Sequence, residues 1–318
     1  MYSWMPGKVD EFLDWKWSQI EPIFINLRGQ QLDDKNIEPW LDEWSEISKI
    51  LDETHWRLYD ATTIATNDET AEERFTRFLD EIRPKARAAE QGLKEKLLSS
   101  GIIPDGYQVV LRDLQAQSEI FREENQALLS EEKKLVIEYD KIIGAQTVEW
   151  DGDQIPLLQL QPIFEEADRE RREKAWRLSA TRQLQDRQAI NALYRQFLEL
   201  RQSIATNAGL YNYRDYRWQE LLRFDYSPED CYQFHNAIES AAVPAAQLIY
   251  EKRRQRLGLK KLRPWDLAVD PDGKPALKPF GTTRELIEKS VKIFSQVEAD
   301  FGDYFQLMYD ENLLDLES

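Results

Sequence analysis

Apolar residues recur at helical spacing in at least six segments of the chain, against one segment with strand periodicity. That imbalance restricts the fold more than any other feature, because the 3.6-residue and two-residue periods bury different faces. From Glu38 the stripe runs Trp40, Trp44, Ile47, Leu51, Leu58. Thr70 and Glu73 have the spacing of a capping box, and the helix they would open buries Phe75, Phe78, Leu79 and Ile82. Pro84 lacks the N–H that would reach the Asp80 carbonyl, which predicts a kink or break. Ala86, Ala89, Leu93 and Leu97 resume the stripe until Gly101 and Pro104 end it. Helices are expected over Tyr107–Glu124 and Ser130–Ile143, with Gly144 as a C-terminal cap. The strand signal is Thr147–Trp150 and Asp153–Ile155, joined by Asp151-Gly152, a pair suited to a type I′ hairpin turn. A lone hairpin is marginal, so it must lean on other elements.

Further on, the charged run Glu165 to Arg177 interleaves acids and bases and reads as a solvated helix face. The next helix carries Ile190, Leu193, Tyr194, Phe197, Leu200 and Ile204 on one face and delivers the chain to a turn at Asn207 and Gly209. Ser227-Pro228-Glu229-Asp230 places a cap residue, a first-turn proline and acids where a helix start favours them. Pro244 predicts a second kink, Arg263–Val269 reads as extended, and Asp270-Pro271-Asp272-Gly273 as a turn. A last amphipathic helix uses Leu286, Ile287, Val291, Phe294 and Val297. The fold class expected is all-α, mostly helical, with a small β-hairpin.

At 318 residues with 42% hydrophobic content and 10 Trp, the chain can bury a substantial core. A net charge of −17 argues against nucleic acid as a partner, since phosphate binding needs a basic surface. Cys231 is the one cysteine, so no internal disulfide forms and a reducing compartment is expected. No apolar run nears the ~20 residues that cross a bilayer, and Met1–Lys8 lacks a signal-peptide pattern. No membrane partner is therefore expected, and the localisation expected is cytoplasmic.

Chemistry-bearing constellations are sparse. The two histidines, His55 and His235, lie 180 residues apart, and H-E-x-x-H does not occur. Cys231 and His235, four apart, could form half a metal site or a nucleophile with its base, but one packed cysteine beside one histidine is the plainer reading. Lys252-Arg253-Arg254-Gln255-Arg256 with Lys260-Lys261 complements a helix C-terminus; an anionic peptide end is its sharper alternative. Tyr211, Tyr213, Tyr216, Trp218, Phe224 and Tyr226 form an aromatic cluster that reads as core, with room for a cleft wall among Arg214, Asp215 and Arg217.

Asn207-Ala208-Gly209-Leu210-Tyr211-Asn212-Tyr213-Arg214-Asp215-Tyr216 and Arg263-Pro264-Trp265-Asp266-Leu267 carry a resemblance. So do Leu58-Tyr59 with Ala61-Thr62, Phe121-Arg122-Glu123-Glu124-Asn125, the Asp151-Gly152 hairpin and the closing Leu313–Leu316. In their order and spacing these blocks resemble the oligoendopeptidase F-like zinc metallopeptidases, relatives of thimet oligopeptidase. The resemblance implies a helical, two-lobed peptidase around a deep cleft, hydrolysing short peptides with one zinc. The family's H-E-x-x-H segment is expected beyond Ser318. On that basis residues 1–104 are an N-terminal helical segment and 105–185 a helical lobe carrying the hairpin 147–155. Residues 186–318 are then the start of the catalytic region. The chain is expected to form one wall of the cleft and to be inactive alone. Its partners would be short peptides and the missing zinc-bearing C-terminal segment. No catalytic residue transfers and no zinc is expected on this chain. Tyr213, Arg217, Trp265 and Asp266 are the candidate substrate-cleft residues. The alternative is a non-catalytic helical peptide-binding or interaction protein derived from the same fold. The apolar tail Tyr304–Leu316 is expected to need a covering partner.

Overall fold

The computed structural model describes residues 4–6, 9–311, 313, 314 and 316; Asp315 of the closing block and Asn312 of the apolar tail lie outside them. The described chain is mostly helical with one two-stranded antiparallel sheet, as the periodicities require. By internal contacts it divides into two compact units, Met1–Ala145 with Gln185–Ala241, and Gln146–Leu184 with Ala242–Ser318.

The first unit is built from α1 (Val9–Phe12), α2 (Trp17–Gly29), α3 (Ile37–Ile64), α4 (Glu69–Arg77), α5 (Arg83–Ser100), α6 (Gln108–Ile120) and α7 (Asn125–Gly144). After the excursion into the second unit come α9 (Arg187–Asn207), α10 (Tyr213–Glu220) and α11 (Pro228–Ala237). The α3 stripe is buried as its spacing demands: Trp40, Trp44, Ile47, Leu51 and Leu58 join Ile20, Phe24 and Leu27 of α2 and Phe75, Phe78 and Leu79 in one core. Each such side chain contributes roughly 1.5–3 kcal/mol by leaving water. Trp40 adds a buried hydrogen bond from its indole N–H to the Leu27 carbonyl at 2.8 Å, which fixes the end of α2 against α3.

Three local expectations are corrected. Asp68, not Thr70, caps α4; its carboxylate accepts from the Thr70 and Ala71 amides at 2.9 and 3.1 Å. Pro84 does not break the helix. The chain takes a π turn over Phe78–Ile82, with the Arg83 amide donating to the Phe78 carbonyl five residues back, and runs on into α5. The same device, a π turn over Ile238–Ala242, precedes Pro244. The wider turn shifts the hydrogen-bond register where proline would leave a carbonyl unpaired. Gly144 ends α7 in ordinary helical geometry, and Ala145 follows as the cap. Its lack of a side chain serves packing instead, because a Cβ there would sit 2.8 Å from Thr66 Oγ1.

The second unit holds the hairpin β1 (Thr147–Trp150) and β2 (Asp153–Pro156), then α8 (Arg169–Gln185), α12 (Val243–Arg256), α13 (Thr283–Val297) and α14 (Ala299–Asp310). Thr147 pairs with Pro156 and Trp150 with Asp153. Asp151 and Gly152 both take positive φ, 52° and 101°, as a type I′ turn requires. The hairpin leans on helical structure through Val148, Trp150, Leu160, Ile163 and Ala175. α13 and α14 pack as a helical hairpin at Gly302, where a Cβ would meet Ser295 Oγ at 1.9 Å. Arg263–Val269 is not extended: Pro264–Asp266 form a 3₁₀ turn, because Asp266 folds back to accept from the Arg263 amide at 2.9 Å.

Candidate functional site

α10 is set by its own cap and by the end of α9. Asn212 accepts from the Asp215 amide at 3.0 Å and so fixes the first turn. The block at 121–125 braces the C-terminal end of α9. The Asn125 amide donates to the Ile204 carbonyl at 3.0 Å and accepts from Asn207 Nδ2 at 2.8 Å, while Arg122 donates to the Ala208 carbonyl at 3.2 Å. On this frame α10 carries two of the candidate cleft residues. Tyr213 is half-buried, donates to Glu132 Oε1 at 3.3 Å, and lies under the Arg201 guanidinium. Burial and the neighbouring Glu132 carboxylate push its hydroxyl up to about 12, against the opposing pull of Arg201. Arg217 is exposed and paired with Glu220. Tyr216, one turn on from Tyr213, is buried, whereas Tyr211 is 89% exposed, so the aromatic cluster divides between core and surface.

Tyr216 and Glu220 also line a cavity of about 470 Å³ within the first unit. Its opposite wall is a face of α5 on which Arg83, Arg87, Glu90 and Lys94 follow one another at i, i+4, i+7 and i+11. Trp44, Leu114, Phe121 and Leu129 supply its apolar part. Arg83 donates to Asp52 Oδ1 at 3.1 Å and Lys94 to Gln117 Oε1 at 2.7 Å. Arg87 and Glu90, half-buried, have no ion-pair partner among the described residues. Burial pushes the Arg87 guanidinium down, helped by Arg83 and opposed by Glu90 and Glu220, and pushes the Glu90 carboxyl up, with Arg83, Lys94 and Arg87 opposing. This charged face escaped the sequence reading because charges at helical spacing normally mark a solvated side.

The other two candidates sit in the second unit. Asp266 is 0% exposed. It accepts from Arg169 Nε and Nη2 at 2.9 and 3.0 Å, and from Arg172 Nη2 at 3.2 Å. Burial pushes its carboxyl up, but the Arg169 hydrogen bonds and the Arg263 amide outweigh this and hold it below the usual carboxylate range. Arg172, 2% exposed, further donates to the carbonyls of Trp265, Glu166 and Ala167. The run 165–177 is therefore not simply a solvated face, since two of its arginines turn inward to one distant carboxylate. Trp265 is buried against Trp176, ring centroids 5.4 Å apart, with Arg177 over its ring. From α12, Arg253 donates to the Asp266 and Val269 carbonyls and Arg256 pairs with Asp272. The basic run thus ties down the following loop.

The donor set for a zinc ion does not fit. His55 is buried in the α3 core with Phe75 and Phe78, its Nδ1 unpartnered, and burial followed by Arg83 lowers it to about 4. His235 lies exposed on α11. Among the described residues no group of three or more His, Cys, Asp or Glu could hold a metal ion. None of their helices is long and apolar enough to cross a membrane.

Comparison with known proteins places this architecture. The model of peptidase family M3 matches residues 163–297. The inhibitor complex of PZ peptidase A superposes with a TM-score of 0.87 at 24% identity, covering 97% of this chain and 56% of that one. A protein assigned as oligoendopeptidase F from Bacillus anthracis str. Ames gives 0.83 at 18% identity, over 100% and 58% of the two chains. Oligoendopeptidase-F from Enterococcus faecium gives 0.63 at 16% identity, over 97% and 68%. The chain thus spans a little over half the length of the first solved structures that it matches. No curated protein matches it. The resemblance to the oligoendopeptidase F-like peptidases holds, and the fold is that of the helical M3 peptidases.

Proposed function

We propose that this chain, with the M3 peptidase fold as its premise, is the N-terminal portion of a zinc-dependent oligoendopeptidase. It forms one wall of the cleft that binds short peptides and is inactive by itself. Residues 186–318 then begin the catalytic region, and the zinc-bearing helices belong to a further segment. Tyr213 and Arg217 in the first unit, and Trp265 and Asp266 in the second, remain our candidate substrate-cleft residues.

The observation that carries the reading is that α11 and α12 bury none of their described residues. Leu248 and Ile249 are 66% and 65% exposed, and Phe301, Tyr304 and Leu307 on α14 are exposed too. Extensive exposed apolar surface is unusual on a soluble monomer and marks a surface meant to be covered. In the family, zinc polarises the peptide carbonyl and activates water; this chain's part is to bind and orient the peptide.

The test uses the purified chain with added zinc. It should hold no stoichiometric zinc after dialysis, leave quenched-fluorescent oligopeptides uncut, and bind a hydrophobic dye. One tightly held equivalent of zinc with chelator-sensitive hydrolysis would overturn the reading. So would a dye-silent monomer.

A further inference from the structure

The cavity of the first unit has a feature that a peptide-cleft wall does not require. On one face of α5 it presents a cation, Arg87, and an anion, Glu90, that lie in each other's field yet make no hydrogen bond or close ion pair among the described residues. Partly buried charged groups that keep open hydrogen-bonding positions toward a cavity are the usual makings of a binding site. Arg83, Lys94 and Glu220 beside them are already paired or bonded, to Asp52, Gln117 and Arg217. Arg87 and Glu90 are not. In the same wall Gln126, 7% exposed, has an Oε1 with no hydrogen-bond partner.

The geometry points to a binding site for a short peptide of about dipeptide size with both termini free, its carboxylate on Arg87 and its ammonium on Glu90. Three observations define that ligand. A guanidinium matches a carboxylate with two parallel N–H donors, and a carboxylate in the wall matches an ammonium. Residues three apart on a helix hold their Cβ atoms about 5–6 Å apart, and an extended dipeptide spans about 7 Å, so both termini can be met from one helix face. At about 470 Å³ the cavity lies in the range of small-molecule sites. Its apolar wall, Trp44, Leu114, Phe121 and Leu129, then takes the side chains. A simple anion would use only Arg87, and a simple amine only Glu90. The site lies wholly within the first unit. It does not rest on the peptidase reading, which fails or stands on zinc and hydrolysis.

The test is calorimetric titration of the full chain with the dipeptide Leu-Phe, its C-terminal amide and its N-acetyl form. We expect Leu-Phe to bind, and each blocked form to bind at least tenfold more weakly. In Arg87→Met the penalty for amidation should disappear, and in Glu90→Gln the penalty for acetylation. Arg87→Lys should restore part of the preference for the free carboxylate and shows that loss in Arg87→Met is not misfolding. No binding of Leu-Phe at millimolar concentration would overturn the assignment. So would equal binding of the blocked forms, or an Arg87→Met protein that still discriminates against the amide.

Discussion

Replacing Asp266 by alanine should destabilise the second unit by about 3 kcal/mol. The carboxylate is fully buried and accepts from four donors between 2.9 and 3.2 Å: three guanidinium N–H groups of Arg169 and Arg172, and the Arg263 amide. Removing one partner of a buried ion pair typically costs about 3–5 kcal/mol, because the other charge stays buried and uncompensated. Two features place this case at the low end. The Arg169 side chain is 38% exposed, so water takes over part of its charge. Arg172 keeps the Trp265, Glu166 and Ala167 carbonyls at 2.8, 2.8 and 2.9 Å. The orphaned Arg263 amide adds about 1 kcal/mol or more. An effect of about 3 kcal/mol is a factor of about a hundred in the unfolding equilibrium. It is best read as native-state hydrogen exchange of the amides at 263–269, which reports this unit without averaging over the other. Arg169→Met alone should cost about 1 kcal/mol, and in the double variant the two losses should fall well short of additive. The carboxylate titrates below its unfolded value, so its contribution is present above the ordinary carboxylate range. It is lost as pH falls through the lowered value. Exchange rates changed less than fivefold by Asp266→Ala, or strict additivity with Arg169→Met, would refute the clamp.

His55 gives a second pH signature of opposite chemical origin. Its folded value near 4 lies below the ordinary 6.5, so the unfolded chain takes up the proton first. The associated stability is complete above pH 6.5 and lost on descending to pH 4, by about 3 kcal/mol at most; His55→Leu should flatten that part of a denaturant-midpoint profile. Gly302→Val should destabilise the α13–α14 hairpin by about 1–3 kcal/mol, because the new side chain meets Ser295 and its backbone. Thermal unfolding followed by circular dichroism checks it, and an unchanged midpoint would contradict the close approach at Gly302.

The helical class was readable in the sequence because a 3.6-residue period over Trp40 to Leu58 or Ile190 to Ile204 has one physical solution. The hairpin was readable because Asp151-Gly152 meets a rare backbone demand. Two kinds of feature were not. Local competition decided the cap at Asp68, whose short carboxylate reaches two free amides where Thr70 was expected to serve. It also decided the turn at Pro264–Asp266, closed by a side-chain bond to the Arg263 amide. The second kind is non-local. Nothing in Arg169-Glu170-Arg171-Arg172 says that two of its guanidinium groups meet a carboxylate more than 90 residues on. The inward charges Arg83, Arg87, Glu90 and Lys94 look, as letters, like any solvated face. Of the four candidate cleft residues, the aromatic-rich stretch around Tyr213 pointed to α10 beside the cavity. It did not point to α5, which forms the charged wall.

The central claim is that this chain supplies a cleft wall and lacks the catalytic half. Its most direct measurement is complementation: the chain is mixed with a separately expressed downstream M3 segment carrying H-E-x-x-H, and hydrolysis of a quenched-fluorescent oligopeptide is followed. The account predicts no cleavage by either piece, chelator-sensitive cleavage on mixing, and loss of dye binding by the chain as α12 and α14 become covered. Cleavage by the chain alone, or a mixture that stays inactive while the dye signal persists, would contradict it.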